Sequence, residues 1–454
     1  MMKIPCARRL PFIVGGLSFL QPALTNIQFN NLTLIATALI LGAKFNLTEI
    51  SRMWLKEKSV STLSYLLSDA KFYIPEMEVL YVAQLQKMYK LAEGGYYCID
   101  DTMKHHTNFC KWIHGVFVLF DHAAKTNLKA TCIVFLYYNN GSLIKFPVTY
   151  RIYHKATDNM PWQRRNQKEC KAKYDLALEM LEWALKMGLP KGTVLADSWF
   201  GMEPFIAGLK RLQLSYVIEV KRSYNVRIPC KVTKLTPTGK KAKNQTETIS
   251  LPEYFDNITF VTACGFDADH QSGKKEKVLY HAKISTVRLN SISGNHRVIE
   301  SKDPVKQTTK YLLTNELTWE ATKIITTYSN RWVIEEFFRN AKQLTDMEGA
   351  TIRSEQGVTT ALCLVSWIDS LLHFENYKQG SAGKLSKESL TIPSIVRRAQ
   401  YENLKAVLGR IQDDEGFIPK WLAIEEKNID RKRKKNSEVI TLEQCPKENM
   451  KLSA

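Results

Sequence analysis

Apolar residues in the first ninety positions recur at helical spacing in several short runs. The pattern predicts helices over residues 32–46, 47–55, 59–67 and 77–91. The run at 32–43, LTLIATALILGA, has about twelve residues, which is too short to span a bilayer, so we expect a buried helix there. Residues 1–93 are therefore predicted to form an N-terminal helical region.

From Gly94 onward the pattern changes to short strands that alternate with helices. Residues 129–138 (KATCIVFLYY) and 143–153 (LIKFPVTYRIY) flank Asn139-Asn140-Gly141, which predicts an antiparallel hairpin with an Asn-Gly turn. The other predicted elements are strands at 96–99, 193–196 and 214–221 and helices at 171–187 and 202–212. Such alternation indicates an α/β fold for residues 94–222.

Two of the predicted strands end in acidic residues. The strand at 96–99 runs into Asp100-Asp101-Thr102, and the strand at 193–196 delivers Asp197. An Asp after a strand is most often a turn residue or a helix N-cap, and it is also a place where α/β enzymes position functional groups. In the first pair, one residue of strand register decides whether Asp100 or Asp101 faces a site.

The remainder of the chain divides by composition. Residues 223–307 combine β patterns with basic stretches such as 240–243 (KKAK), which predicts a mainly β insertion before a strand at 310–314. An apolar helix is predicted at 361–374, a further helix at 395–411, and a basic tail at 427–454 with RKRKK at 431–435. The predicted regions are 1–93 (N-terminal, helical), 94–222 (first part of the core), 223–307 (β-rich insertion), 308–375 (second part of the core) and 376–454 (C-terminal helices and tail).

The stretch 326–344, TTYSNRWVIEEFFRNAKQL, contains neither Pro nor Gly and predicts one amphipathic helix. At about 100° per residue, five polar side chains share one narrow face: Tyr328, Arg331, Glu335, Arg339 and Lys342. The opposite face carries the apolar stripe Ile334, Phe337, Phe338, Ala341 and Leu344, which a helix needs to dock on a core. The spacing of Arg331, Glu335 and Arg339 also suits an ordinary solvated salt-bridge ladder.

Four of these residues fit the spacing Y-x2-R-x3-E-x6-K: Tyr328, Arg331, Glu335 and Lys342. This pattern resembles the signature of the DDE transposases of the IS4 superfamily. The resemblance implies that Glu335 is a metal-binding catalytic residue and that Tyr328, Arg331 and Lys342 contact DNA phosphates near the cut. Because Arg339 shares their face, we expect it to contact DNA as well.

The two strand-ending acids extend the resemblance. The sequence at 194–201, VLADSWFG, is similar to the second-Asp motif of this family, and Asp100 in D-D-T matches the first Asp, with Asp101 as the alternative. The resemblance implies an α/β fold with an RNase H-like catalytic core, a mixed sheet flanked by helices, interrupted by a mainly β insertion. It also implies that Asp100, Asp197 and Glu335 hold two Mg²⁺ ions, with Mn²⁺ as a substitute, because carboxylates suit these metals. No organic cofactor is expected.

The chain has 454 residues, of which 64 are Lys or Arg and 45 are Asp or Glu, so its formal net charge is +19. A strongly basic balance favours a polyanionic partner, with nucleic acid ahead of an anionic membrane. The nine Cys are scattered with no C-x-x-C, which favours reduced thiols over a disulfide framework or a zinc ribbon. His105-His106 with His114 is a weaker zinc alternative. Pro11, Gly15 and Gly16 interrupt the first apolar run, so we expect no secretory signal.

Together these features predict a bacterial-type, cytoplasmic, nucleoid-associated DNA transposase that cuts transposon ends and transfers strands into target DNA as a homodimer. In the resembled family an N-terminal helical domain contacts the transposon end; a helical cap packed on the core is the equal alternative for residues 1–93. Two other functions stay open. One is a catalytically inactive DNA-binding protein derived from a transposase, and the other is a metal-dependent nuclease that does not join strands.

Overall fold

The structure is a computed structural model that describes residues 4–54, 59–106, 113–121, 124–154, 170–229, 246–268, 275–303, 306–350, 352–381 and 391–429. The basic run at 240–243 and the RKRKK run at 431–435 lie outside the described residues.

Helices dominate both ends of the described chain. In the N-terminal region they are α1 (Pro11–Gly16), a 3-10 helix (Ser18–Ala23), α2 (Asn26–Ile40), α3 (Leu47–Arg52), α4 (Val60–Ser68) and α5 (Ile74–Met88). The central helices are α6 (Lys173–Lys186), α7 (Glu203–Arg211), α8 (Leu251–Asp256), α9 (Ala321–Ser329) and α10 (Trp332–Gln343). The last helices are α11 (Glu355–Ser381), α12 (Ile392–Asp413) and α13 (Phe417–Ile429). The predicted N-terminal and C-terminal helices are confirmed.

The strands of the described residues join into one twelve-stranded mixed sheet. They are β1 (Gly95–His105), β2 (Val116–Asp121), β3 (Thr126–Asn139), β4 (Lys145–Ile152), β5 (Gly192–Ala196), β6 (Tyr216–Val220), β7 (Asn225–Pro229), β8 (Thr246–Ser250), β9 (Val261–Ala268), β10 (Lys275–Leu289), β11 (Asn295–Lys302) and β12 (Thr309–Thr314). Their order is β2-β3-β1-β5-β6-β12-β11-β10-β7-β8, with β4 beside β3 and β9 beside β10. The protein therefore has a mixed α/β fold.

Strand pairing places the carboxyl ends of β5 and β6 beside the middle of β1. β3 and β4 form the predicted antiparallel hairpin, and β1 runs antiparallel to β3. β5 lies between β1 and β6 and is parallel to both. Since parallel strands bring their carboxyl ends to the same edge, residues that follow β5 lie next to residues of β1 and β6.

One expectation about β1 is wrong, because the acid pair does not close this strand. β1 continues to His105, since its backbone pairs with β3 as far as His105 opposite Ala130. Asp100 and Asp101 therefore lie in mid-strand, and successive side chains of a strand point to opposite faces of the sheet. Asp100 and Asp101 therefore face opposite sides of the sheet and have different neighbours.

The expectation of one continuous helix over 326–344 is also wrong. Helix α9 ends at Ser329 and α10 begins at Trp332, and the amides of Asn330 and Arg331 bond three residues back, to Thr327 and Tyr328. The carbonyl of Asn330 accepts hydrogen bonds from the Asn139 amide and the Cys98 thiol, each at 3.4 Å. These tertiary donors accompany a tighter turn at Asn330 and Arg331, so the segment forms two helices, α9 and α10.

The apolar stripe predicted for this segment does pack on the sheet. Ile334, Phe337 and Ala341 are at most 2% exposed, and the Phe337 ring meets the Phe135 ring edge-on at 5.0 Å. Phe338 and Leu344 are partly buried against the same core. Helix α10 is thereby fixed against β3, and Glu335 on its polar side shares Arg331 with Asp100 in the middle of β1.

The N-terminal helices share their core with the sheet. Tyr81 on α5 donates a hydrogen bond to the carbonyl of Pro147 on β4 and lies against Ser370 on α11. Gly16 at the end of α1 lies so close to Leu371 that a Cβ atom there would clash with the Leu371 side chain. Buried apolar residues of α1 to α5 belong to the same cluster as those of the sheet. This packing favours the helical cap for residues 1–93 and does not test a DNA contact.

Helix α11 is the predicted apolar helix, extended at both ends. Its segment Glu355–Gln379 is the one helix of the described residues that is long and apolar enough to cross a membrane, yet 83% of its most apolar window is buried inside the fold. The N-terminal helices and β4 cover it. Its apolar composition is accounted for by its central position in the core.

Candidate active site

Strand register aligns three carboxylates across neighbouring strands. Ile99 of β1 lies beside Ala196 of β5, and Ala196 lies beside Ile218 of β6. The next residue on each is acidic: Asp100, Asp197 and Glu219. Residues in register on adjacent strands point to the same face. The three acids therefore form a row on the face that α9 and α10 cover.

Arg331, between α9 and α10, contacts the Asp100 end of this row. One of its guanidinium nitrogens is 2.8 Å from Asp100 Oδ2, and the other contacts the Glu335 carboxylate one turn along α10. The Arg331 side chain is only 12% exposed. One guanidinium therefore bridges carboxylates that are 235 positions apart in numbering, Asp100 and Glu335.

Asp197 takes part in the same charge cluster. Its Oδ1 accepts a hydrogen bond from the backbone amide of Trp199 at 3.0 Å, which holds the turn after β5. Burial raises the pKa of Asp197, while the positive charge of Arg331 and the Trp199 amide partly offset this effect. Asp197 and Arg331 are thus close enough for charge interaction, in surroundings that disfavour an isolated carboxylate.

The pKa of Asp100 is raised to about 7. Burial is the main cause, Arg331 opposes it, and the negative charges of Asp197 and Asp101 add to the rise. Burial by itself lowers the pKa of Arg331, but Tyr328 and the surrounding carboxylates outweigh burial and raise it, so the guanidinium is charged. The cluster therefore holds more negative charge than one arginine compensates, which is the condition that attracts further cations.

Asp101 faces the other side of the sheet. Its Oδ2 is 2.9 Å from Lys173 Nζ at the start of α6, and it accepts a hydrogen bond from the Cys132 thiol at 3.2 Å. The Lys173 ammonium also lies over the rings of Tyr153 and Trp199, at 5.7 and 5.1 Å from their centroids. Of the two candidate first acids, Asp100 is the one that faces Arg331, Glu335 and Asp197.

The residues expected to contact DNA have different surroundings. Tyr328 is only 8% exposed, and its hydroxyl donates a hydrogen bond to Glu219 Oε2 at 3.0 Å. Lys342 pairs with Glu348 at 2.9 Å, one turn past the end of α10. Arg339 lies in mid-helix and is partly buried. The structure gathers Tyr328, Arg331 and Glu335, whereas Lys342 is engaged at the far end of the helix.

A cleft of about 370 Å³ opens beside the cluster, between α9–α10 and strands β10 to β12. Tyr328, Arg331 and Glu335 line it, and so do Asp303, Lys306 and Lys310. Cationic and carboxylate side chains in one open groove suit a polyanionic substrate. The Glu335 side chain is 30% exposed and lines this cleft.

No group of three or more His, Cys, Asp or Glu side chains within the described ranges has the spacing of a formed metal site. The zinc alternative fails to assemble: His105 pairs with Asp121 at 2.6 Å, His106 with Thr131 at 3.1 Å, and His114 with Glu355 at 3.9 Å. The Cys residues that the structure describes are free thiols, as expected. The oxygen donors around Arg331 are the chemically suitable set for Mg²⁺ or Mn²⁺.

Glu219 and Lys310 were not anticipated from the sequence. Glu219 is the one acid in the apolar strand pattern LSYVIEVK at 214–221, and Lys310 begins the strand pattern KYLLT. A lone acid inside a buried strand is the signal that could have indicated Glu219. Its neighbours on β5 and β12 could be identified only from the strand order.

Comparison with known proteins agrees with this geometry. Residues 169–368 match the family model described as the transposase DDE domain, a range that contains Asp197 and Glu335 and begins after Asp100. No curated protein matches the chain. The match covers 200 of the 454 residues, so this part of the chain is similar to a transposase DDE domain.

Proposed function

We propose that the protein is a DNA transposase of the IS4 superfamily that cleaves DNA at transposon ends and transfers the strands to target DNA. The observation that carries the proposal is the convergence of Asp100, Asp197 and Glu335, from three distant segments, on the guanidinium of Arg331. The family match supports transposase function and nucleic-acid cleavage at a coarser level.

The fold supports an RNase H-like core. Strands β4, β3 and β1 form an antiparallel meander, β5 and β6 continue it in parallel, and α10 carries the third acid. The strands of 223–307 lie between β6 and β12 in the chain, as an insertion would, although they extend the same sheet. We propose that the five regions of the chain begin at residues 1, 94, 223, 308 and 376.

Asp100, Asp197 and Glu335 are the residues that would hold divalent metal. A pair of Mg²⁺ or Mn²⁺ ions bound there would activate a water or 3′-hydroxyl and stabilise the leaving oxygen in an in-line displacement. Arg331 pairs with two of these carboxylates, Asp100 and Glu335, and keeps them close together. Since a protonated carboxyl is a poor ligand, Asp100 with its pKa of about 7 has to lose its proton first.

Charge and shape supply the DNA-binding part of the proposal. The net charge of +19 favours association with a polyanion, and the cleft places Arg331, Lys306 and Lys310 around the approach to Glu335. Arg339 and Lys342 extend the basic side of α10 beyond the cleft. A homodimer that pairs two transposon ends completes the proposed reaction, in a cytoplasmic, nucleoid-associated setting.

Cleavage of a supercoiled plasmid that carries the gene with its own flanking DNA tests the catalytic assignment. With Mg²⁺ we expect nicked and linear products from the wild type and at least a hundredfold less from Asp197→Asn and Glu335→Gln. Glu320→Gln is the matched control, because Glu320 is an exposed acid at the start of α9 whose side chain makes no capping hydrogen bond. Equal cleavage by all four proteins would remove these acids from the mechanism.

The same assay separates the other two functions. A gel shift on the flanking DNA with no cleavage in Mg²⁺ or Mn²⁺ would identify an inactive DNA-binding protein. Cleavage without joining of the ends to a second plasmid would identify a nuclease that does not transfer strands.

A further inference from the structure

Glu219 is a fourth acid beside the cluster, and the proposed reaction gives it no role. It lies on β6 in register with Leu312 of β12 on one side, and it follows Ile218, the register partner of Ala196, on the other. Its side chain is 23% exposed. Its negative charge contributes to the raised pKa of Asp197, after burial as the main cause.

Two residues converge on the Glu219 carboxylate. The Tyr328 hydroxyl donates to Oε2 at 3.0 Å, and Lys310 Nζ is 3.2 Å from the same oxygen. The Lys310 ammonium also lies over the Tyr328 ring at 5.6 Å from its centroid, while the Arg331 guanidinium lies 5.7 Å from that centroid. The Tyr328 ring is thus in cation–π contact with Arg331 of the acid cluster and with Lys310 in the wall of the cleft.

This arrangement has a consequence for Tyr328. A phenol can donate one hydrogen bond, and Glu219 accepts the hydrogen bond of Tyr328. While this bond persists, the Tyr328 hydroxyl cannot donate to a phosphate oxygen. Tyr328 is also buried. In contrast, the Lys310 side chain is 48% exposed and has further N–H donors directed at solvent in the cleft.

We propose that Lys310 is a phosphate-binding residue of the cleft and that Glu219 is a positioning residue, which holds Lys310 and Tyr328 in place beside Arg331. A carboxylate near a phosphate site weakens binding by charge repulsion, so its presence there is explained by the orientation it imposes. Glu219 binds no substrate in this arrangement. The ligand of Lys310 is a phosphodiester of the DNA strand that enters the cleft, so the inference rests on the proposed function.

Equilibrium DNA binding tests Lys310 without any cleavage. Binding of a labelled duplex is measured in EDTA at several salt concentrations for the wild type and for Lys310→Met. Loss of one phosphate contact lowers the slope of log K against log salt by about 0.9. Lys310→Arg keeps the charge and is expected to keep the slope. Lys323→Met is the matched control, because Lys323 is an exposed lysine on α9 that also lies over an aromatic ring, that of Trp319, and does not line the cleft.

Single-turnover cleavage in Mg²⁺ tests Glu219. In Glu219→Gln the amide oxygen can still accept the Tyr328 hydrogen bond, but the charge that holds Lys310 is lost. We expect a cleavage rate about tenfold lower, because misplacement of a contact group slows the chemical step. DNA affinity is expected to be unchanged or tighter, because a negative charge has been removed. If Glu219 only stabilised the fold, its replacement would lower the cleavage rate and the DNA affinity together, or would change neither.

A double variant links the two residues. If Glu219 acts through Lys310, the cleavage rate of Glu219→Gln/Lys310→Met equals that of Lys310→Met alone, whereas independent roles multiply. An unchanged salt slope in Lys310→Met, or full cleavage by Glu219→Gln, would overturn the inference while leaving the proposed function intact. A reduced slope with no cleavage by the wild type would instead support the phosphate contact and reject the catalytic proposal.

Discussion

Asp100 and Asp101 are adjacent on β1 and lie in opposite kinds of surroundings. Asp100 shares Arg331 with Glu335 at the edge of an open cleft and has two further acids, Asp197 and Glu219, in line with it. Asp101 has Lys173 as its own cation, with the Cys132 thiol as a second donor, under the start of α6. On the Asp100 face, acidic side chains outnumber the cationic ones. On the Asp101 face, one acid pairs with one cation, Lys173.

This difference distinguishes a site that can take up a cation from an ion pair that stabilises the fold. Both carboxylates are largely buried, so burial alone does not identify the functional one. The distinguishing features are the excess of acids over cations and the neighbouring cleft, which allow a ligand to complete the site. The four changes below test whether the two faces differ in this way.

The largest expected contrast is in DNA cleavage. Asp100→Asn removes a proposed metal ligand and is expected to lower the cleavage rate by at least about a hundredfold. Asp101→Asn, measured on folded protein under the same conditions, is expected to stay within about threefold of the wild type, because Asp101 faces away from the cluster. A stronger loss for Asp101→Asn would reverse the roles of the two acids.

The next contrast is in pH dependence. The native pKa of Asp100, about 7, lies above the unfolded value of about 3.9, so the native state binds more protons between these limits. The unfolding free energy of the metal-free protein therefore falls as pH rises from about 4 to about 7, by up to about 4 kcal/mol from this residue. Asp100→Asn lacks this contribution. In denaturant unfolding, the stability of the variant relative to the wild type should therefore be higher at pH 8 than at pH 5. An equal difference at both values would contradict the raised pKa.

A stability loss is expected on the Lys173 face. Asp101→Asn leaves the ammonium of Lys173 without its carboxylate, at side-chain exposures of 13% and 17% for the pair. Breaking one partner of such a buried pair costs about 3 kcal/mol. Replacement of both, as Asp101→Leu/Lys173→Met, should recover most of the loss in urea unfolding. If Asp101→Asn has the same unfolding free energy in urea as the wild type, the ion pair does not stabilise the fold.

The smallest effect is expected for Cys132. Cys132→Ser keeps a donor for Asp101 with an O–H in place of the thiol, and the unfolding free energy is expected to change by less than about 1 kcal/mol. Burial raises the pKa of the Cys132 thiol, so it should also resist alkylation in the native protein. Rapid labelling of Cys132 at neutral pH would show that this face opens.

Local patterns in the sequence predicted what depends on local periodicity. The apolar stripe of α10, the β3–β4 hairpin and the strand before Asp197 follow from side-chain spacing and turn residues. The break between α9 and α10 could not be predicted in this way. It depends on donors from Cys98 and Asn139, which are far away in the chain.

The same limit applies to the site. The spacing of Tyr328, Arg331 and Glu335 indicated a functional segment, but a helical wheel placed the Tyr328 hydroxyl on an open face, and it is buried against Glu219. The choice between Asp100 and Asp101 required the register of β1 and the position of α10. Glu219 matched no motif, because its relation to Asp197 exists only through strand order.

The central position of α11 has a consequence for the order in which the protein folds. Gly16 of α1 lies against Leu371, 355 positions away, and Tyr81 of α5 lies against Ser370, 289 positions away. During synthesis the amino-terminal helices therefore emerge long before their packing partner, and contacts of such high sequence separation form slowly. A fragment of residues 1–93 alone would leave apolar faces uncovered that α11 covers in the complete fold.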